Sequence, residues 1–331
     1  MALTLSRPQS REAPPERAAP VARGRIVEER GVVFILNGAA GGGRADEARA
    51  AILRHAGAAA APAQIHATRN GAEIGDLVRQ AVAQGASLVV AGGGDGTVNA
   101  VASALVGSEA ALGVLPLGTL NHFAKDLKIP LEIDAAVENV FSGRIAAIDV
   151  GEVNGRIFLN NSSLGLYPRI VRYREAERAQ GHNKWIAFAR AIVAALRRHS
   201  LFHVRLHGDG GQDLSRATAF VFIGNNEYEM SGANIGARKS LEAGQLWVCL
   251  PRRGGRLDLL HLALRALVGR LRDRDLHVLK AGEIVIEMRK PRPSVATDGE
   301  VADMAAPLTY RIRPRTLKVV VPAESGGQAA L

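Results

Sequence analysis

The strongest constraint on the fold is a glycine-rich break between a strand and a helix. Residues 88–91 form a short apolar run, residues 92–97 read Gly-Gly-Gly-Asp-Gly-Thr, and apolar residues then recur at helical spacing from Val98 to Leu105. Glycines at such a turn permit positive φ values and let an anion approach the backbone N–H groups. Asp95 within such an anion site requires either a bridging cation or a role as proton acceptor. The stretch therefore predicts a phosphate-binding loop.

An alternation of apolar strand, loop and helix runs from residue 32 to residue 141. This order is typical of an α/β domain with a mainly parallel sheet, in which ligands bind beyond the carboxyl ends of the strands. A Walker A loop is absent, because no glycine loop ends in Gly-Lys-Ser or Gly-Lys-Thr, and Thr97 stands where a dinucleotide fingerprint requires its third glycine. The loops that we expect at the ligand-binding edge are residues 37–43, 68–71, 92–97 and 116–123.

The pattern changes near residue 150, where short apolar runs separated by turns predict a β-rich second domain. Two amphipathic helices interrupt the strands, at 183–199 and 257–271. Core packing with one solvated face is the ordinary explanation for such helices, and contact with a membrane is the alternative. The predicted divisions are a disordered tail at 1–29, the α/β domain at 30–148, the β-rich domain at 149–305, closing strands at 306–322 and a loose tail at 323–331.

Composition restricts the class of protein further. The 331 residues include a single cysteine, Cys249, which excludes a disulfide framework and fits a reducing compartment. A net charge of +10 suits nucleic acid, anionic membrane or a polyanionic substrate, but 4% aromatic residues are too few for a base-stacking surface. No apolar stretch reaches the ~18 residues of a membrane span, and the N-terminus has no apolar signal core. We therefore expect a cytoplasmic protein whose contact with membranes is peripheral.

The sequence contains three motifs that resemble, in type and order, those of the diacylglycerol kinase catalytic-domain family. They are Gly93–Thr97, Pro116–Asn121 and Asp298–Glu300, and the similarity spans about residues 37–322. The family includes bacterial lipid kinases and the sphingosine and ceramide kinases. The glycine–aspartate motif alone is shared with NAD kinases and phosphofructokinases, so the ordered set carries the specificity. The resemblance implies an α/β nucleotide-binding domain, a β-sandwich-like second domain, an active site in the cleft between them, and closing strands that return to the first domain.

The resemblance also implies roles for individual residues, with ATP and Mg²⁺ as the cofactors. Glu300 is the expected general base, Asp95 is its rival for that role, and Asp298 completes the catalytic set. Asp95 is also the candidate for holding Mg²⁺ through a water molecule. The residues implied to bind the nucleotide are Asn37, Gly41, Thr68, Gly93, Gly94, Asp95, Gly96, Thr97, Asn99, Thr119 and Asn121.

The sequence departs from the family pattern at three places. At each of them, residues that the family uses for a phosphate or metal contact are absent. Residues 37–41 lack the proline and serine of the family loop, and His122 stands where many members have aspartate. Residues 240–245 replace the acidic run that binds a structural Mg²⁺ in some bacterial members, so no second metal is assigned.

The function implied is a lipid kinase that transfers the γ-phosphoryl group of ATP to a hydroxyl of a diacylglycerol-like or sphingoid lipid at an anionic membrane surface. A soluble NAD-kinase-like enzyme and a catalytically weak nucleotide-binding regulator are the alternatives. The sequence predicts no specific nucleic acid and no protein partner. Whether the chain forms a homodimer is left open. The sequence does not show whether the acceptor is diacylglycerol, sphingosine or ceramide, because apolar contacts discriminate weakly between similar substrates.

Overall fold

The computed structural model describes residues 31–38, 43–59, 63–68, 70–166, 168, 201–229, 237–267 and 275–323. Gly41 and the helix predicted at 183–199 lie outside these residues, as do both predicted tails apart from residue 323.

The first half of the chain is a parallel sheet covered by helices. Its strands pair in the order β2-β1-β3-β4. Strands β1, β3 and β4 are apolar runs buried on both faces, as a covered parallel sheet requires, whereas the edge strand β2 alternates. The elements are β1 Val32–Asn37, α1 Arg44–Ala59, β2 Ala63–Thr68, α2 Gly71–Ala83, β3 Leu88–Gly93, α3 Asp95–Leu105, β4 Ala111–Pro116, α4 His122–Asp126 and α5 Ile133–Ser142.

The second half is mainly antiparallel. Strands β12-β11-β10-β7-β14-β15 form a six-stranded sheet, and its inner face packs on β8, β13 and the start of β16. The core between the two layers includes Val204, Val221, Val295 and Tyr310, so this half is β-sandwich-like, as predicted. The elements are β5 Arg144–Val153, β6 Arg156–Phe158, β7 Asn161–Gly165, β8 Phe202–Gly208, β9 Asp213–Thr218, β10 Phe220–Asn225, β11 Leu246–Pro251, α6 Arg256–Leu267, β12 Leu276–Ala281, β13 Glu283–Met288, β14 Ser294–Thr297, β15 Glu300–Asp303 and β16 Leu308–Val321.

The last strand, β16, connects the two halves. It pairs with β13 and β5, and Val319 pairs in parallel with Leu112 of β4, so one ten-stranded sheet runs through both halves. The closing strands predicted within residues 306–322 are one long strand, Leu308–Val321. Pro314 has no N–H to donate and Arg315 has a φ of 51°, which makes an irregularity inside one strand rather than an end.

A buried carboxylate stabilises that irregularity. Asp149 of β5 is 0% exposed, and it accepts hydrogen bonds from Arg315 N at 2.9 Å and Gly244 N at 2.7 Å. Asn226 Nδ2 donates a further bond at 3.1 Å. Since a buried carboxylate is tolerated only when its oxygens are hydrogen-bonded, these partners make Asp149 a fixed point between β5 and β16. The domain boundary predicted at residue 149 lies inside β5.

Candidate functional site

A cleft of about 530 Å³ opens where β1, β2 and β3 end. The carboxyl ends of parallel strands share one edge of a sheet, and ligands bind there in open α/β folds. Glu300 of β15 also lines this cleft, although it comes from the opposite end of the chain. The predicted site residues that line the cleft are Asn37, Thr68, Gly94, Gly96, Thr97 and Glu300.

The glycine loop packs against the loop after β4, backbone to backbone. A Cβ at Gly118 would lie 2.5 Å from Gly94 Cα, and a Cβ at Gly93 would lie 2.5 Å from Thr97 Oγ1. Leu117 N also donates to Gly93 O at 3.0 Å. A side chain at Gly118 would separate the two loops, and one at Gly93 would displace Thr97. The glycines therefore bring the N-terminus of α3, with its unpaired N–H groups, to the wall of the cleft.

Side chains tie the neighbouring strand ends together. Asn37 Nδ2 donates to Thr97 Oγ1 at 3.2 Å, and Gly38 N donates to Thr68 O at 2.9 Å. Thr68 Oγ1 accepts a bond from Asn70 N at 3.1 Å, and it lies 3.2 Å from Glu73 Oε2. The three strand ends thus form one preorganised edge.

Asp95 and Asn121 form hydrogen bonds that fix the glycine loop and the loop after β4. Asp95 is half-buried, and its Oδ1 accepts a hydrogen bond from Phe123 N at 3.3 Å, at the start of α4. Asn121 has a φ of 50° and is buried, and its Nδ2 donates to Pro116 O at 3.1 Å and Gly118 O at 2.9 Å. Asn121 therefore holds the loop that carries the exposed Thr119.

Asp298 lies at a tight turn between β14 and β15, with a φ of 48° and a glycine after it at 88°. Backbone N–H groups of residues 159–161 donate to its carboxylate at 2.7, 2.8 and 3.1 Å. Asn99 Nδ2 of α3 donates a further bond. Burial of the carboxylate raises the pKa of Asp298 above its ordinary value, and these hydrogen bonds act in the opposite direction. All of the donors are N–H groups, which suits the ionised form and fixes the turn.

Glu300 is exposed and faces the glycine loop. Its Oε2 forms an ion pair with Arg156 Nη2 at 2.7 Å, and 65% of its side chain is exposed. Its Oε1 lies 3.5 Å from the point that a Cβ of Gly96 would occupy. The ion pair therefore orients one oxygen and leaves the other beside the start of α3.

The structure separates the predicted site residues into two groups. Those that line the cleft are named above, and Gly41 lies outside the described residues. Gly93, Asp95, Asn99, Asn121 and Asp298 make the loop and turn contacts described above, and Thr119 is exposed on the loop that Asn121 holds. Sequence reasoning missed Arg156 and a second arginine, Arg238, which is described below, because an isolated arginine in a basic chain gives no signal of its partner.

One carboxylate beside the glycine loop suits a metal ion bound together with a nucleotide. No group of three or more His, Cys, Asp or Glu side chains able to hold a metal occurs in the described part of the chain. Mg²⁺ in proteins is commonly bound by one or two carboxylates together with substrate phosphates. Asp95, half-buried at the start of α3, is a carboxylate of that kind.

Two domain families match the chain in succession. The diacylglycerol kinase catalytic domain matches residues 31–153, and the YegS C-terminal NAD kinase beta sandwich-like domain matches residues 168–321. The chain therefore contains a diacylglycerol kinase catalytic domain followed by a YegS-type C-terminal domain. The first match contains the glycine loop, and the second contains Glu300, so the cleft is built from both matched parts of the chain.

Curated relatives of the chain carry a lipid kinase name. A "Probable lipid kinase YegS-like" of Pseudomonas aeruginosa PAO1 is 32% identical over 207 residues, or 62% of this chain and 66% of that protein. A Yersinia enterocolitica protein of the same name is 44% identical over 99 residues, 28% of this chain and 33% of that protein. The matched stretches thus span less than two thirds of the length of these relatives.

Solved structures share the fold. A diacylglycerol kinase structure from Bacillus anthracis has a TM-score of 0.66 at 21% identity, over 88% of this chain and 97% of that chain. A second structure from the same organism has a TM-score of 0.72 at 22% identity, with the same coverage.

Proposed function

We propose that this protein is a Mg²⁺-dependent lipid kinase that transfers the γ-phosphoryl group of ATP to a hydroxyl of a diacylglycerol-like or sphingoid lipid. The observation that carries the proposal is the position of Glu300, whose carboxylate faces the start of α3 across the cleft. A carboxylate opposite a phosphate-binding loop suits the deprotonation of a hydroxyl as it attacks a phosphoryl group.

The nucleotide half of the site would be formed by the glycine loop. The N-terminal N–H groups of α3 would bind phosphate oxygens, and Asn37, Thr68 and Thr97 would contact the nucleotide from neighbouring strand ends. When bound, Mg²⁺ would neutralise charge on the phosphates. Asp95 would hold it through water with Oδ2, because Oδ1 accepts the bond from Phe123 N.

The acceptor half would be formed by Glu300 and its supports. Arg156 would orient the carboxylate, so that Oε1 takes the proton of the lipid hydroxyl while the phosphoryl group transfers. Asp298 would act as a positioning residue, since four N–H groups already donate to its carboxylate. Asn99 would link that turn to the nucleotide side.

A cavity with both apolar and polar lining supports a lipid acceptor. It has a volume of about 550 Å³, and its lining includes the apolar Leu166, Phe202 and Met288 and the cationic Arg289 and Lys290. Strand β14 runs from this cavity, at Ser294, to the turn before Glu300, a distance of roughly 10 Å over three residue steps. An acyl chain spans that distance. The two cationic lining residues suit an anionic membrane surface, which we propose as the place of action.

The experiment is phosphate transfer from γ-labelled ATP to a total lipid extract, with and without Mg²⁺. We expect label in the organic phase that depends on Mg²⁺ and on the lipid. A panel of diacylglycerol, sphingosine and ceramide then identifies the acceptor.

The alternatives give different results in the same assay. A soluble NAD-kinase-like enzyme would place the label in a water-soluble product when NAD is supplied. A nucleotide-binding regulator would bind ATP without turnover. Its affinity for ATP and its lack of turnover would both be unchanged in Glu300→Ala. Either result, obtained with folded protein, contradicts the proposal.

A further inference from the structure

Arg238 is a fully buried cation between the two halves of the molecule. Its side chain is 0% exposed, and its Nε donates to Asp126 Oδ2 at 2.8 Å. Its guanidinium carbon also lies 5.8 Å from the centre of the Phe123 ring. A buried ion pair carries a large desolvation cost, so it is weak evidence for a contribution to stability and raises the question of what else it does.

The same guanidinium binds the segment that holds Asp298. Its Nη1 donates to Leu159 O at 2.7 Å, and its Nη2 lies 3.4 Å from Asn160 Oδ1. Leu159 O and Asn160 N belong to one peptide, and that N–H donates to Asp298 Oδ1 at 2.8 Å. Arg238 and Asp298 therefore hold this peptide between them, Arg238 at its carbonyl and Asp298 at its N–H.

Asp126 connects this clamp to the glycine loop. It is the last residue of α4, a single helical turn whose first N–H groups include that of Phe123. Phe123 N donates to Asp95 Oδ1 at 3.3 Å. A continuous series of contacts thus leads from Asp95, through α4 and Arg238, to residues 159–161 and the turn that carries Glu300.

We propose that Arg238 is a positioning residue for phosphoryl transfer, and this inference depends on the kinase function proposed above. Its guanidinium sets the distance between the nucleotide side of the cleft and the Asp298–Glu300 turn, because it binds backbone that contacts the turn and a helix that contacts the glycine loop. It contacts neither the nucleotide loop nor Glu300 itself. Its loss would displace the carboxylate without removing any group that reacts.

The test separates positioning from stability. Arg238→Met alone leaves Asp126 buried without its cation and risks misfolding, so the informative variant is the double change Arg238→Met with Asp126→Leu, which removes both charges. Replacement of a buried ion pair by apolar residues of similar volume is often neutral for stability. Arg265→Met is the matched control, since Arg265 forms an ion pair of 2.7 Å with Asp275 and does not line the cleft.

We expect the double variant to keep its melting temperature and its KM for ATP, while kcat falls about 100-fold, the size of effect that a misplacement of about 1 Å produces. The control should keep kcat. A double variant whose kcat stays within about twofold of the parent, or falls only in proportion to lost folding, overturns the proposal.

Amide hydrogen exchange gives a readout that does not depend on activity. In the double variant, the amides of residues 159–161 should exchange faster, while those of β3 stay unchanged. Unchanged exchange at 159–161 overturns the inference even if the parent is active. A parent that transfers no phosphate overturns the kinase proposal, and with it the catalytic role of Arg238, while the exchange result still decides whether Arg238 clamps this segment.

Discussion

At the scale of residues, two carboxylates two positions apart occupy opposite environments. Asp298 is surrounded by N–H donors, whereas Glu300 is mostly exposed and contacts only Arg156 among the hydrogen bonds described for it. The Asp-Gly-Glu motif indicated both as site residues through a family resemblance. It did not indicate that Asp298 would be surrounded by N–H donors, because those donors come from the backbone of residues 159–161, about 140 positions earlier.

Asp298→Asn tests the supporting role of that residue. The amide nitrogen would face backbone N–H groups, so at least one buried donor would lose its acceptor, and we expect a loss of about 1–3 kcal/mol in the free energy of unfolding. Urea denaturation measures this directly. Glu300→Gln, at an exposed position, is the control and should leave the unfolding free energy nearly unchanged. Equal stability of the two variants would contradict the assignment.

Gly118→Ala tests the contact between the two loops. The new Cβ would lie 2.5 Å from Gly94 Cα, so the loops must separate, and we expect a loss of about 1–3 kcal/mol together with weaker nucleotide binding. Gly57→Ala is the control, because a Cβ there meets nothing within 4 Å and should stabilise α1 by about 0.5–1 kcal/mol. Calorimetric titration with ATP and thermal unfolding measure both effects. Unchanged ATP affinity in Gly118→Ala would contradict the loop assignment.

At the scale of elements, prediction succeeded where one face or both faces of an element were apolar. The alternation of strand and helix predicted for residues 32–141 corresponds to β1–β4 and helices α1, α2, α3 and α5. Strands β9 and β12 were not predicted individually. Each sits at the edge of its sheet, where β9 exposes Asp213, Ser215 and Ala217 and β12 exposes Val278 and Lys280. Strand β5 was missed because the chain was divided within it. Such strands are specified by long-range pairing, which leaves little local pattern.

The edge strand β12 gives a prediction about pH. Burial and the nearby charges of Arg216 and Arg252 lower the pKa of His277 below its ordinary value of 6.5. A lowered pKa in the folded state means that stability is present above pH 6.5 and is lost as the pH falls through the folded pKa. We expect the thermal midpoint to fall between about pH 7.5 and pH 5.5, and to fall less in His277→Gln. An identical pH profile for the two proteins would show that His277 contributes nothing.

At the scale of the whole molecule, the charge of +10 and the cationic residues Arg289 and Lys290 in the cavity lining both favour an anionic surface as the partner. In the described parts of the chain, no helix is long and apolar enough to cross a membrane. Composition alone indicated an anionic partner but not its place on the molecule, because the cavity is formed by strands that are distant in sequence.

Vesicle binding tests this proposal. We expect sedimentation with vesicles that contain phosphatidylglycerol at low salt, with release as the ionic strength rises and the Debye length falls to about 3 Å near 1 M. Vesicles of phosphatidylcholine alone are the control and should bind little protein. Equal binding to both kinds of vesicle, insensitive to salt, would show that charge does not direct the association.

The most direct test of the central claim is a comparison of phosphoryl transfer and ATP affinity in Glu300→Gln. The account predicts that ATP binds with unchanged affinity, while transfer to lipid falls by about 10²–10⁴-fold, the usual contribution of a general base. Asp95→Asn should instead weaken the dependence on Mg²⁺. If Glu300→Gln transfers phosphate at the parent rate, Glu300 is not the base, and the cleft between the glycine loop and the Asp298–Glu300 turn is not the site of transfer as described.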